Sequence, residues 1–154
     1  MQDTENKIAV YDLSRYRKAR IVTKMVNDSK SQKTADTPSA SSPSSFQPEQ
    51  HEISARELKN KLDRHAPLVL LDVREPIEYQ IVHLAGSVLI PLNELPQQVN
   101  RLNPKLETVA YCHHGMRSLY AAAYLHQIGF QNVKSLAGGI DQWSVKIDPA
   151  LSRY

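Results

Sequence analysis

The sequence contains a single cysteine, Cys112. One thiol cannot form an intramolecular disulfide, which excludes a disulfide-stapled secreted module and a redox enzyme with its own resolving cysteine. Residues 1–5 are polar, and no stretch approaches the roughly 18 consecutive apolar residues of a membrane span. We therefore expect a protein of the reducing cytoplasm, without a secretion signal or a membrane span.

The chain also lacks a large charge of either sign. Its formal net charge is +3 over 154 residues, which is too weak to imply nucleic-acid binding, although a small cationic excess favours anionic substrates. A chain of this length has room for one ordinary domain and a tail, because domains typically hold roughly 100–150 residues. Apolar residues make up 41% of the sequence, which suffices for one core if they are concentrated in one part.

Large apolar residues are scarce just before residue 51. Residues 29–50 are mostly Ser, Thr, Pro, Lys and Gln, and such a segment cannot bury enough surface to offset its ordering entropy. Residues 8–26 carry a basic cluster that either stays solvated or forms a short amphipathic helix on a partner or an anionic surface. We assign residues 1–50 to a flexible polar and basic N-terminal tail and linker, and residues 51–154 to the folded domain.

From residue 51 onwards, short apolar runs alternate with segments of helical periodicity, which is typical of βα units and a parallel sheet. Ser54 and Glu57 form a capping-box pattern at the start of a helix, and Pro76 suits the first turn of another. The patterns predict strands over 68–73, 88–90, 108–112 and 133–136, and helices over 55–64, 76–82, 92–102, 118–128 and after Gly139.

Cys112 stands where a predicted strand ends, followed by a short loop and a helix. The carboxyl end of a parallel strand, facing a helix N-terminus, is where an open α/β sheet binds its ligands. Backbone N–H groups of the loop, the helix dipole and Arg117 all favour a thiolate over a thiol. The segment thus predicts a nucleophilic cysteine; the alternative is that Cys112 is a small buried hydrophobic residue.

Together with this loop, four other segments resemble the rhodanese family in their order and spacing: 71–75 (LDVRE), 83–87 (HLAGS), 90–92 (IPL) and 136–140 (LAGGI). The resemblance covers residues 51–154 and implies an α/β domain with a central parallel five-stranded sheet flanked by helices on both faces. It further implies that Cys112 is catalytic and carries a sulfane sulfur as a persulfide. The substrate-binding loop would then be completed by His113, His114, Gly115, Met116 and Arg117.

The length of the loop bears on two alternative functions. Phosphatases and arsenate reductases that share the fold have one more residue between the cysteine and the arginine than the four found here. A shorter loop suits a single persulfide sulfur, whereas a tetrahedral phosphate or arsenate needs a wider one. An inactive rhodanese-like binding module or sulfur relay is a further alternative, which the presence of Cys112 in an intact loop disfavours.

The resemblance also implies roles for residues around the loop. Asp72 and Arg74 look like the family's structural pair near the site, and Arg74 is spaced for contact with Glu78. Because His113 and His114 are adjacent, we expect their rings to diverge and to shape the rim of the pocket rather than to bind a metal with Cys112. No metal and no cofactor are expected.

The expected partners are a small sulfane-sulfur donor, such as thiosulfate, and a thiol or cyanide acceptor. Residues 143–154 look like the endings of rhodanese domains attached to adenylating enzymes, which implies a sulfur-accepting protein as a further partner. His83 is expected to be a hydrogen-bonding residue rather than a base, and Trp143 to pack in the core.

Overall fold

The computed structural model describes residues 47–154. The predicted N-terminal tail and linker, apart from residues 47–50, and the amphipathic helix considered for residues 8–26 lie outside the described residues. Pro48–Gln50 forms a 3-10 turn that leads into the domain. In the described part of the chain, no helix is long and apolar enough to cross a bilayer.

Five strands form one parallel sheet: β1 (Glu52–Ile53), β2 (Leu68–Asp72), β3 (Val88–Leu89), β4 (Glu107–Tyr111) and β5 (Val133–Leu136). Their order is β1-β5-β4-β2-β3, so β4 lies at the centre, and its last four residues are buried. The predicted parallel five-stranded sheet is confirmed. The local pattern did not predict β1, because two residues are too short to show a strand period.

Helices cover both faces of this sheet, as predicted: α1 (Ala55–Asp63), α2 (Pro76–Ile81), α3 (Leu95–Gln98), α4 (Met116–Gln127) and α5 (Gly139–Lys146). One apolar cluster joins α3 and α4 to side chains such as Leu71 and Ala110 on one face. A second cluster joins α1 and α5 to Leu70 and Val109 on the other face. Neighbouring strand residues enter different clusters because side chains alternate across a strand.

The segment 92–102 differs from the single helix that its periodicity predicts. It consists of a 3-10 turn at Leu92–Glu94, the short helix α3 and a second 3-10 turn at Val99–Arg101. Pro96 lies in the first turn of α3, where its missing N–H is tolerated, but it cannot donate within a helix that began at residue 92. Leu95 and Leu102 are buried nonetheless, so the segment still packs its apolar side chains against the core although the helix is broken.

All strands run in the same direction, so their carboxyl ends meet at one edge of the sheet. Asp72 at the end of β2 lies beside Tyr111 at the end of β4, and Ala110 of β4 lies beside Ser135 of β5. The residues that follow these strands are therefore brought together in space. Among them is Cys112.

Candidate active site

Cys112 is the first residue after β4 and lies almost entirely inside the domain, with 2% of its surface exposed. Its Sγ accepts a hydrogen bond from the backbone N–H of Gly115 at 3.1 Å and lies 3.6 Å from Ser118 Oγ. Gly115 has a φ of +97°, and a Cβ there would lie 3.1 Å from the backbone nitrogen of Gly138. The turn that brings this N–H to the sulfur therefore favours glycine.

The first turn of α5 holds the other side of the Cys112 loop, residues 112–117. The N–H of Ile140 donates to the carbonyl of Cys112 at 2.9 Å, and the N–H of Asp141 donates to the carbonyl of His113 at 3.1 Å. These two donors belong to the free N–H groups with which every helix begins. The start of α5 therefore fixes the backbone at the beginning of the loop by two hydrogen bonds.

Two buried serines lie next to the loop. Ser118 Oγ donates to the carbonyl of Gly115 at 3.1 Å and lies 2.9 Å from Ser135 Oγ. The pair helps to fix the carbonyl of Gly115, the residue whose N–H faces the sulfur. Neither serine was predicted from the sequence as part of the site. The available signal was that Ser135 shares a face of its strand with Val133, so that a hydroxyl stands at a buried position.

Arg117 forms a two-point ion pair with Glu78. Its Nη1 lies 2.6 Å from Glu78 Oε2 and its Nη2 lies 2.7 Å from Glu78 Oε1. The hydrogen bonds from Arg117 outweigh burial and lower the pKa of Glu78 to about 2. The sequence predicted that Arg117 adds positive potential to the site, whereas the structure shows this charge engaged by a carboxylate.

The predicted contact between Arg74 and Glu78 is wrong, because Arg74 turns towards Asp72 instead. Arg74 and Asp72 are both fully buried, and Nε and Nη2 of the guanidinium donate to the two carboxylate oxygens. Nη2 also donates to the carbonyl of Val82 at 2.7 Å. Burial by itself lowers the pKa of Arg74, but the hydrogen bonds and charge of Asp72 exceed this effect and raise it.

Tyr154 connects the two ion pairs. Its hydroxyl accepts a hydrogen bond from Arg74 Nη1 at 2.8 Å and donates one to Glu78 Oε1 at 2.9 Å. Its ring stacks on His113, with ring centres 4.3 Å apart. Tyr154 was not predicted from the sequence as a site residue, because no local pattern shows that residues so far apart in the chain meet.

The prediction that His113 and His114 diverge is wrong. Their rings stack with centres 3.9 Å apart, because the chain bends at these residues, whereas side chains alternate only in extended backbone. Burial, followed by the charge of His114, lowers the pKa of His113. His114 Nδ1 lies 4.0 Å from a carboxylate oxygen of Asp141, and Arg153 donates to that carboxylate at 2.7 Å.

The remaining predicted residues lie at the edge of the site or outside it. Met116 is the first residue of α4, and 43% of its surface is exposed. His83 Nδ1 lies 3.0 Å from the carbonyl of Tyr79, which confirms its prediction as a hydrogen-bonding residue, and Trp143 is buried in the core. Within residues 47–154, no group of His, Cys, Asp and Glu side chains is arranged to hold a metal ion.

Comparison with known proteins identifies a family for most of the domain. The model for the Rhodanese-like domain matches residues 54–146. Among solved structures, a rhodanese-related protein from Thermoplasma volcanium superposes with a TM-score of 0.58 at 32% sequence identity. This alignment covers 63% of the present chain and 93% of the other.

Two curated relatives are larger proteins. The probable adenylyltransferase/sulfurtransferase MoeZ of Mycobacterium tuberculosis is 38% identical over 104 residues, which is 66% of this chain but 26% of MoeZ. The putative sulfur carrier protein YrkF of Bacillus subtilis is 39% identical over 97 residues, which is 63% of this chain and 52% of YrkF. The chain therefore spans about a quarter and about half of these two relatives.

Proposed function

The chain belongs to the family of rhodanese-like domains, and from this premise we propose that it is a sulfurtransferase that works through a persulfide on Cys112. The proposed donor is a sulfane-sulfur compound such as thiosulfate, and the proposed acceptor is a thiol or cyanide. The observation that carries the proposal is the position of Cys112 Sγ: at the carboxyl end of the central strand, it accepts the N–H of Gly115 within a tight loop. An N–H donor at this place stabilises negative charge on sulfur.

The proposed reaction has two displacements at sulfur. The Cys112 thiolate attacks the outer sulfur of thiosulfate, the sulfur–sulfur bond of the donor breaks, and sulfite leaves with the bonding electron pair. The acceptor thiolate or cyanide then attacks the outer sulfur of the persulfide and releases Cys112 as a thiolate. In this scheme the 112–117 loop surrounds the outer sulfur, and the Asp72–Arg74 pair holds the backbone beside it.

We propose a protein thiol or carrier as the acceptor in the cell, in addition to small molecules. The proposal is supported by similarity to MoeZ and YrkF, whose names describe a sulfurtransferase and a sulfur carrier. We place the protein in the cytoplasm, where reducing conditions keep a lone thiol available. Residues 51–154 are the proposed catalytic unit, with residues 1–50 as its tail and linker.

The first prediction concerns Cys112→Ser. The variant should lose sulfur transfer from thiosulfate to cyanide or a thiol completely, because a hydroxyl cannot form a persulfide, and it should keep its melting temperature. In the wild type, intact mass after treatment with thiosulfate should rise by one sulfur atom, and in the variant it should not. Transfer activity retained in Cys112→Ser would contradict the proposed function.

The same pair of proteins tests the alternative of a phosphatase or arsenate reductase. The wild type should neither hydrolyse an aryl phosphate nor reduce arsenate, because the 112–117 loop is one residue shorter than the loop of those enzymes. Hydrolysis or arsenate reduction by the wild type that is lost in Cys112→Ser would favour that alternative over sulfur transfer.

A further inference from the structure

The four charged side chains of the two ion pairs near Cys112 form a network whose net charge is zero. Asp72 and Arg74 form one pair, Glu78 and Arg117 form the other, and the two cations balance the two anions. Arg74 is fully buried and shares its guanidinium with Asp72, so it is not available to a ligand. The side chain of Arg117 is 35% exposed and is the member of this network that a donor can reach.

Glu78 holds Arg117 with a carboxylate that is itself fixed by several donors. Oε2 accepts from Arg117 Nη1 and from the backbone N–H of Glu75 at 3.0 Å. Oε1 accepts from Arg117 Nη2 and from the hydroxyl of Tyr154. Because the carboxylate is anchored to the start of α2 and to Tyr154, it cannot move away from Arg117 without losing hydrogen bonds.

Arg117 is nevertheless within electrostatic reach of the reactive sulfur. It lies in the chain between Gly115, whose N–H donates to Cys112 Sγ at 3.1 Å, and Ser118, whose Oγ lies 3.6 Å from the same sulfur. The hydrogen bond to Glu78 is the largest cause of the raised pKa of Arg117, and the charge of Cys112 contributes in the same direction. An anionic donor that approaches Cys112 therefore meets a guanidinium whose Nη1 and Nη2 each already donate to Glu78. It also meets the negative charge of Glu78 itself.

We propose that Glu78 determines which sulfur donor the site accepts, by engaging Arg117 and so disfavouring dianionic donors relative to donors of lower charge. This inference rests on the proposed sulfurtransferase function and concerns its substrate class. A dianion such as thiosulfate must compete with the bound carboxylate for Arg117 and is repelled by it. A monoanionic thiosulfonate or an organic persulfide depends less on this cation. Glu78 is thus a positioning residue that acts through Arg117.

The test compares thiosulfate with benzenethiosulfonate, which carries one negative charge fewer. In both reactions the Cys112 thiolate takes the outer sulfur; sulfite leaves from thiosulfate, and benzenesulfinate leaves from benzenethiosulfonate. Glu78→Gln should raise kcat/KM for thiosulfate about five-fold relative to benzenethiosulfonate, as expected for a partly exposed charge pair. The change should lie mainly in KM, because the carboxylate opposes donor binding rather than the displacement.

Two controls separate this effect from a general change of charge or fold. Glu75→Gln removes the same charge at the residue that precedes α2, where the structure shows no ion pair to Arg117, and it should change the donor ratio much less than Glu78→Gln. When Arg117 is already replaced by alanine, Glu78→Gln should raise kcat/KM for thiosulfate by a smaller factor, because no guanidinium is released. An unchanged donor ratio in folded Glu78→Gln, or an equal change in Glu75→Gln, would overturn the proposal.

Alkylation of Cys112 tests how the charge of Glu78 affects an approaching anion, without any sulfur transfer. Cys112 is the only cysteine of the chain, so the rates with anionic iodoacetate and neutral iodoacetamide report on this site alone. Glu78→Gln should raise the iodoacetate rate several-fold relative to the iodoacetamide rate, for the same electrostatic reason. If this ratio rises while the wild type transfers no sulfur, the proposed function fails and the charge effect stands; if it does not rise, the role of Glu78 fails.

Discussion

At the scale of single residues, the hydroxyl of Tyr154 lies between two charged side chains of opposite sign. It accepts from Arg74 and donates to Glu78, and its ring covers one face of His113. Arg74 is fully buried, so loss of the phenolic oxygen would remove an acceptor from an N–H group that cannot readily turn to solvent. Tyr154 therefore links the interior ion pair with the one at the rim.

Tyr154→Phe should lower the free energy of unfolding by about 1 kcal/mol, because the buried guanidinium loses one hydrogen bond and Glu78 loses a donor. Tyr154→Ala should lower it by about another 1 kcal/mol, since the stacking contact with His113 is also lost. Urea denaturation of the three proteins measures both steps. A Phe variant as stable as the wild type would show that water replaces the hydroxyl without cost.

At the scale of elements, the contact between α5 and the 112–117 loop decides the shape of the site. Gly139 is the first residue of α5 and has a φ of +62°. A Cβ at this position would lie 2.4 Å from the carbonyl oxygen of Cys112 and 2.3 Å from that of His113. The helix and the loop can approach this closely only because the side chain is absent.

Gly139→Ala should therefore displace the loop and reduce both stability and sulfur transfer. Gly86→Ala is the matched control, because Gly86 also has a positive φ, +76°, but a Cβ there would have no atom within 4 Å. In the control, backbone strain alone should lower the free energy of unfolding by about 1 kcal/mol, and sulfur transfer should be unchanged. Urea denaturation and transfer assays measure the two effects, and equal losses in both variants would contradict the importance of the close contact.

At the scale of the whole molecule, three carboxyl groups within residues 47–154 have a pKa below the usual range. Hydrogen bonds from Ser54 lower the pKa of Glu57, those from Arg117 lower the pKa of Glu78, and those from Arg153 lower the pKa of Asp141. Each group binds protons more weakly in the folded protein than in the unfolded chain. Each therefore stabilises the fold at neutral pH and ceases to do so in acid.

The free energy of unfolding should begin to fall as the pH drops below about 6.5, because folding lowers the pKa of His113, and should fall further from about pH 5 towards 2 as the carboxyl groups take up protons. The sign follows from Glu78, whose pKa is about 2 in the folded protein instead of the ordinary 4.5, so its contribution is complete above 4.5 and is lost as the pH falls through 2. Glu78→Gln should flatten this decline. Urea titrations between pH 2.5 and 7 measure it, and identical slopes in both proteins would contradict the ionised pairing of Glu78.

Much of the fold could be predicted because local rules and long-range packing agree there. The capping box of Ser54 and Glu57 is present as predicted, and the strand predicted at 68–73 is β2, one residue shorter. The sequence-based predictions are wrong where a local periodicity rule is overridden by a proline or by a bend of the chain. Pro96 breaks the predicted helix over 92–102, and the bend after Cys112 brings together two histidine rings that the sequence placed apart.

The sequence by itself determined the parallel sheet and the place of Cys112 at the end of a strand, because apolar periodicity and turn residues act over short stretches of chain. Only the tertiary structure decided those partners of the charged side chains that lie far from them in the chain. Arg117 reaches Glu78 across 39 residues of chain, and Arg74 reaches Tyr154 across 80. Such pairs depend on which helix and strand ends meet at one edge of the sheet, and no local pattern records that meeting.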